Sequence, residues 1–141
     1  MLPAPARLRA MERLFLLLSG VYGFLAVALG AFGAHGLKAR LDGLPDGAQR
    51  MGWWQTGAQY HLAHALALAL AAYLAARTGS AAATAAGFCF AGGVLLFSGS
   101  LYVMTLTGIR ALGAVTPLGG LFMLAGWVSV VVAASGLGGK G

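Results

Sequence analysis

The sequence predicts an all-α integral membrane protein whose four transmembrane helices form an up-down antiparallel bundle with small-residue helix seams. Two observations predict this class. Of the 141 residues, 60% are hydrophobic and only 9% are charged, whereas a soluble domain has about 25% charged residues. The apolar residues also form four uncharged stretches, each long enough for the helix of about 20 residues that crosses a hydrocarbon core. We therefore expect a single transmembrane domain over residues 1–141.

Basic residues and turn formers separate the predicted spans. The first span covers about 14–34 and is longer than the roughly 7–15 residues of a signal-peptide core, so we interpret it as a retained helix. The polar stretch 35–53 contains glycines and a proline and is predicted to be an outer loop, and Thr116-Pro117 is a favourable helix start. The remaining predicted spans are about 54–76, 81–107 and 116–137.

Basic residues also predict the orientation and exclude one class of partner. Three arginines, Arg7, Arg9 and Arg13, precede the first span, and such an arm favours the cytoplasmic side. We expect both termini in the cytoplasm and the chain in a bacterial cytoplasmic (inner) membrane. The other basic residues are scattered along the chain, unlike the clustered patches of nucleic-acid-binding proteins. The predicted partner is the lipid bilayer, with no nucleic acid.

Glycines recur at spacings that predict contacts between helices. Small residues at such spacings let helix backbones approach closely in lipid, and a seven-residue spacing favours left-handed, near-antiparallel packing. The glycines predicted at helix–helix contacts are Gly23, Gly30, Gly92, Gly99, Gly119 and Gly126.

Polar side chains are concentrated in the half of the bundle next to the 35–53 loop, which we call the outer half. His61 and His64 fall about 10 Å and 15 Å below Trp54 at 1.5 Å per residue. The third span runs in the opposite direction and brings its polar residues to similar depths. The predicted ligand-binding residues are His35, Thr56, Tyr60, His61, His64, Ser98 and Tyr102.

Two interpretations of these polar residues stay open. They satisfy one another as interhelical hydrogen bonds, or they line a pocket, because histidines inside membranes are rare and generally face a cavity or a partner. A lipid or quinone could bind to Tyr60, His64 and Tyr102. A metal ion on His35, His61 and His64 is a further alternative, although the spans contain no carboxylate ligand. We predict no cofactor.

No nucleophile, base and carboxylate occur together in the spans, so the sequence predicts no enzyme. The predicted function is binding or assembly in the membrane through the outer half, with a lipid-like ligand, a membrane-protein partner or further copies of the chain. The alternative is a small oligomeric channel or transporter with a histidine-lined path. Transport would require an oligomeric pore because the residues of the inner half are mostly apolar.

Several strings along the chain resemble one known family. They are Gly30-Ala31-Phe32-Gly33-Ala34-His35-Gly36-Leu37, Gln55-Thr56-Gly57-Ala58-Gln59-Tyr60-His61, His64-Ala65-Leu66-Ala67, Phe97-Ser98-Gly99-Ser100-Leu101-Tyr102, Thr116-Pro117-Leu118-Gly119-Gly120 and Gly126-Trp127. Their order and spacing closely resemble the small inner-membrane proteins of the YgdD/YwdK type, whose animal relatives are small transmembrane proteins. The resemblance extends from about Leu14 to Val132. It implies a four-helix membrane protein with cytoplasmic termini, and it implies no activity and no catalytic residue.

Overall fold

The computed structural model describes residues 6–138, and these residues contain helices and no strand. The long helices are α1 (Ala6–Phe32), α3 (Gly47–Thr78), α4 (Ala81–Thr107) and α5 (Thr116–Ser135). The shorter helical segments are a π turn (Gly33–Leu37), α2 (Lys38–Leu41) and two 3₁₀ turns (Arg110–Ala114 and Gly136–Gly138).

Three stretches among the described residues are long and apolar enough to cross a membrane: Ala6–Leu41, Ala81–Thr107 and Arg110–Ser135. The first is continuous through the π turn. Helix α3 has sufficient length, with 32 residues, but it is less apolar because its first half carries Arg50 and three exposed glutamines. Length and composition therefore identify three helices that could span a membrane. Whether α3 also spans it has to be judged from how α3 packs against its neighbours.

Helices that are neighbours in the chain pack against each other. The hydroxyl of Ser19 in α1 donates to the carbonyl of Ala65 in α3 at 2.8 Å. The hydroxyl of Ser98 in α4 donates to the carbonyl of Gly57 in α3, also at 2.8 Å. Because hydroxyl and carbonyl lie on different helices, these bonds fix how α1 and α4 sit on α3.

The described helices form an open array rather than the compact bundle expected from the sequence. Helix α3 packs between α1 and α4, and α4 packs between α3 and α5, while α1 and α5 have no Cα atoms within 8 Å of each other. Lipid tails are as apolar as the helix surfaces, so no hydrophobic force draws α1 and α5 together in a bilayer. The core lies along α3 and α4, where Phe15, Leu68 and Phe90 are fully buried.

Most of the predicted 35–53 loop is helical. Only residues 42–46 lack helical structure, because the π turn and α2 extend the first helix and α3 begins at Gly47. The buried side chains of Leu37 and Leu41 pack in a small cluster with Trp54, and this burial stabilises helical structure despite the polar composition of the segment.

The glycine contacts require a correction. An added Cβ would meet the Phe97 backbone at Gly119 and the Phe90 ring at Gly126, while Gly92 would have only an ordinary contact, at 3.8 Å, with a phenylalanine ring. An added Cβ would have no atom within 4 Å at the other predicted positions, which are Gly23, Gly30 and Gly99. Close approaches also occur at glycines that were not predicted. An added Cβ would meet Trp54 of α3 at Gly33, Tyr102 of α4 at Gly57, Phe15 of α1 at Gly87 and Met123 of α5 at Gly93. Periodicity alone does not distinguish these faces because lipid and core are both apolar.

Candidate functional site

His64 connects α3 to α5 through a complete set of hydrogen bonds. The indole N–H of Trp127 donates to His64 Nε2 at 3.2 Å, and Nδ1 lies 2.8 Å from the carbonyl oxygen of Tyr60. Indole nitrogen is only a donor, so Nε2 accepts and Nδ1 carries the proton that it donates to Tyr60. This tautomer is assigned from the partners. Both ring nitrogens are satisfied, as expected for a histidine that holds helices together.

His61 has a different environment although it lies less than one turn away. Its Nδ1 is 3.2 Å from the hydroxyl oxygen of Tyr102, and its ring packs edge-on against Tyr22 with 5.5 Å between centroids. The side chain is only 5% exposed. Its Nε2 is buried and has no hydrogen-bond partner among the described residues. A buried polar atom without a partner costs about 1–3 kcal/mol, so it requires an explanation.

A cavity of about 130 Å³ lies beside His61 in the crevice between α1 and α4. We call it the His61 cavity. It is lined by Tyr22, Leu29, His61, Val94, Leu95, Ser98, Gly99 and Tyr102. Leu95 is 65% exposed and Gly99 has no neighbouring atom that an added Cβ would meet, so the cavity opens toward the lipid at this edge.

A second cavity, of about 570 Å³, lies on the opposite side of α4 and is lined by His64, Tyr60, Phe97 and residues of α5. The predicted residues are therefore divided between two sites. His61, Ser98 and Tyr102 line the His61 cavity. The close packing of α3 on α4 at Gly57, where an added Cβ would lie 3.1 Å from the Tyr102 ring, fills the space that a common pocket would need.

Two further predicted residues lie away from both histidines. Thr56 is exposed and lines a groove of about 930 Å³ between α1 and α3. His35 is exposed in the π turn and lines none of these cavities. Within residues 6–138, no three histidine, cysteine, aspartate or glutamate side chains come close enough to hold a metal ion.

Sequence reasoning missed the groove between α1 and α3. Gln55 and Gln59 line it and are both exposed. Their four-residue spacing places them on one helix face. Two exposed amides on a helix inside a membrane are a signal that the sequence contained, since such groups need polar partners.

The fold and these sites define a small helical membrane protein with cavities between its helices. A family model described as "Protein of unknown function (DUF423)" matches residues 29–120. The chain is 46% identical to the UPF0382 membrane protein YwdK of Bacillus subtilis (strain 168) over 123 residues, which cover 86% of this chain and 96% of the relative. It is 42% identical to the UPF0382 inner membrane protein YgdD of Escherichia coli (strain K12) over 130 residues, which cover 92% and 95%.

A third relative, a UPF0382 membrane protein of Staphylococcus haemolyticus, is 38% identical over 120 residues, 85% of this chain and 93% of the relative. The chain therefore belongs to the DUF423 family of membrane proteins, and the resemblance to YgdD and YwdK is confirmed. No solved structure matches the chain. The names of these relatives state a membrane location and no activity.

Proposed function

We propose that this chain is a non-enzymatic membrane protein that binds the polar end of a lipid-like molecule in the His61 cavity. The observation that carries the proposal is the buried Nε2 of His61, which has no partner among the described residues and belongs to a side chain that lines a cavity open to lipid. A ligand atom at Nε2 would satisfy this group.

The ligand chemistry follows from the His61–Tyr102 pair. If the Tyr102 hydroxyl donates to Nδ1, Nε2 carries a proton and donates to a carbonyl oxygen of the ligand. If Nδ1 donates to Tyr102, Nε2 is an acceptor for a ligand hydroxyl. The cavity volume of about 130 Å³ is close to the roughly 150 Å³ that accommodates benzene in an engineered protein cavity. A ring with carbonyl or hydroxyl groups, as in a quinone or quinol, meets both requirements.

We infer that α3 also crosses the membrane, which gives four spans in an up-down order. The indole of Trp54, near the start of α3, donates to the carbonyl of Leu29, near the end of α1, at 2.9 Å. The side chain of Leu8, at the start of α1, would contact a Cβ added at Gly79, just after α3. These contacts support an α3 that runs beside α1 in the opposite direction. The inner-membrane name of the Escherichia coli relative and the arginines before the first span support an inner membrane location with cytoplasmic termini.

The core that lies further along α3 and α4 favours binding over transport. Phe15, Leu68 and Phe90 are fully buried there. An ion or proton that passed His61 would meet this apolar core, and its low polarity makes passage costly.

The experiment is a titration of the purified chain in mild detergent with a decyl-benzoquinone, followed by the fluorescence of Trp54, whose ring centroid is 4.6 Å from that of Tyr102. We expect saturable quenching by the wild type. His61→Phe, which keeps a ring but removes Nε2, and Gly99→Leu, which fills the cavity, should abolish the saturable component. Gly20→Leu is the matched control because Gly20 also has no neighbour within 4 Å. Equal titrations for all four proteins would refute the assignment.

A further inference from the structure

The groove between α1 and α3 is the largest of the cavities described above, and it continues upward beyond the helices. Its main section has a volume of about 930 Å³. An upper section of about 460 Å³ lies beneath the 42–46 segment and shares Lys38, Met51, Gly52 and Gln55 with the main section. We call the two sections together the α1–α3 groove. It forms one channel along the outside of the helices, on a different face of α3 from the His61 cavity.

The groove is confined to one leaflet. Along α3 it extends from Gly47 to Leu62, which corresponds to about 22 Å of helix. Leu62 lies about 12 Å below Trp54 at 1.5 Å per residue, and the hydrocarbon core is about 30 Å thick. The groove therefore ends before the middle of the membrane, where the exposed side chains of Val27 and Leu62 border it. A transmembrane helix of a second copy would need a groove across both leaflets, whereas an acyl chain needs only one.

The floor of the groove is open because small residues form it. Gly30 and Ala31 of α1 and Ala34 of the π turn line it, and a Cβ on Gly30 would have no atom within 4 Å. In contrast, Gly33 is covered by the indole of Trp54, which an added Cβ would approach to 2.5 Å. The free space therefore lies beside the Trp54 ring, over small apolar residues that an acyl chain can contact.

The upper end of the groove carries one positive and one negative side chain. Lys38 lines both sections and Asp42 lines the upper section. Among the described residues the ion pairs are those of Asp46 with Arg50 and Arg110, so these pairs include neither Lys38 nor Asp42. A phosphate beside Lys38 and an ammonium beside Asp42 would complement both charges. An anionic headgroup without an ammonium would be repelled by Asp42.

The glutamines lie level with and deeper than the small-residue floor, because the hydrogen bond from Trp54 to the carbonyl of Leu29 places Gly30 at the level of Trp54. Gln55 lines both sections of the groove, and Gln59, which is one turn deeper, lines the main section. Their amide N–H groups are donors, and the ester carbonyls of a glycerophospholipid are acceptors at the same level, between headgroup and acyl chain. An ester carbonyl of a lipid whose phosphate lies at Lys38 can therefore accept from Gln55, which lines both sections of the groove.

We propose that the α1–α3 groove binds one zwitterionic glycerophospholipid, with its phosphate at Lys38, its ammonium at Asp42, an ester carbonyl at Gln55, and an acyl chain over Gly30. This site is separate from the His61 cavity and does not depend on the function proposed for it.

In the test, the full chain in mixed micelles is given equal amounts of phosphatidylethanolamine and phosphatidylglycerol with identical acyl chains, so that the two lipids compete. Native mass spectrometry then counts the lipid retained. We expect one phosphatidylethanolamine per chain, retained about tenfold over phosphatidylglycerol. Gly30→Leu should abolish retention, and Gly20→Leu should not. Asp42→Asn should bring the two lipids to near parity, Lys38→Gln should weaken retention of both, and Arg40→Gln, at an exposed residue outside the groove, should change neither.

Three results would overturn the proposal. They are equal retention of the two lipids by the wild type, retention unaffected by Gly30→Leu, and a dimer that Gly30→Leu dissociates, which would assign the groove to a second copy. Circular dichroism and the thermal midpoint of each variant establish that it is folded. His61→Phe should leave phosphatidylethanolamine retention unchanged, so failure of the quinone experiment and failure of this one are distinguishable.

Discussion

Alanine at Gly119 should destabilise the protein, and alanine at Gly99 should not, although both glycines were predicted from the same spacing. A Cβ at Gly119 would lie 2.8 Å from Cα and Cβ of Phe97 and closer still to its backbone nitrogen, whereas ordinary contacts begin at 3.4 Å. Because the obstacle is backbone, α4 and α5 must separate by about 1 Å, and a gap of that size removes about a quarter to a half of each van der Waals attraction.

Overpacking of this kind costs about 1–3 kcal/mol. Gly99 has no atom within 4 Å of an added Cβ, and alanine is a better helix former than glycine by up to about 1 kcal/mol. That gain is common to both substitutions, so the unfolding free energies of the two variants should differ by the overpacking cost, about 1–3 kcal/mol. Reversible unfolding by sodium dodecyl sulfate in mixed micelles, followed by circular dichroism, measures this difference. Equal stabilities for Gly119→Ala and Gly99→Ala would refute the close approach of α5 to α4 at Gly119.

Three further predictions concern individual contacts. A double-mutant cycle of His64→Phe and Trp127→Phe should give a coupling energy near 0.6 kcal/mol and at most about 1.7, measured by the same unfolding assay, and zero coupling would contradict the hydrogen bond. Arg50 contacts Asp46 and the carbonyl of Thr105, so Arg50→Gln should speed proteolysis of the 42–46 segment, and an unchanged cleavage rate would argue against this connection. Gly79 has φ +62°, so Gly79→Ala should cost about 1–2 kcal/mol and lower the thermal midpoint in detergent, with Gly79→Asn less affected.

The positions of the long helices followed from the sequence because lipid imposes a simple requirement. A backbone inside the membrane has to satisfy its own hydrogen bonds, so an uncharged apolar run becomes a helix. The predicted span 81–107 and helix α4 (Ala81–Thr107) have the same bounds. The prediction of a loop over 35–53 was wrong because the polar composition of this segment did not indicate that Leu37 and Leu41 are buried against Trp54. That burial depends on the tertiary structure.

The depth of each polar side chain in the membrane was predictable from the sequence, whereas the rotation of each helix about its own axis was not. The rise per residue placed His61, Ser98 and Tyr102 at similar depths, and the structure brings these three to one cavity. The rise per residue could not show that His64 reaches α5, because the hydrogen-bond partner of His64, Trp127, is 63 residues away in the chain. The same limit applied to the glycines. Only the relative rotation of packed helices decides that Gly99 faces a crevice while Gly93 meets Met123.

The open order of the helices has a consequence for how the chain is made. Each long helix packs mainly against the helix that precedes or follows it, and α5 does not touch α1. Helix α3 can therefore dock on α1 as soon as it enters the membrane, α4 can then dock on α3, and α5 can dock on α4, without any earlier helix waiting for the last one. Assembly in this order involves mainly contacts between helices that are neighbours in the chain, which lowers the entropic cost of loop closure and favours fast folding. Synthesis from the amino terminus delivers the helices in the order in which they pack.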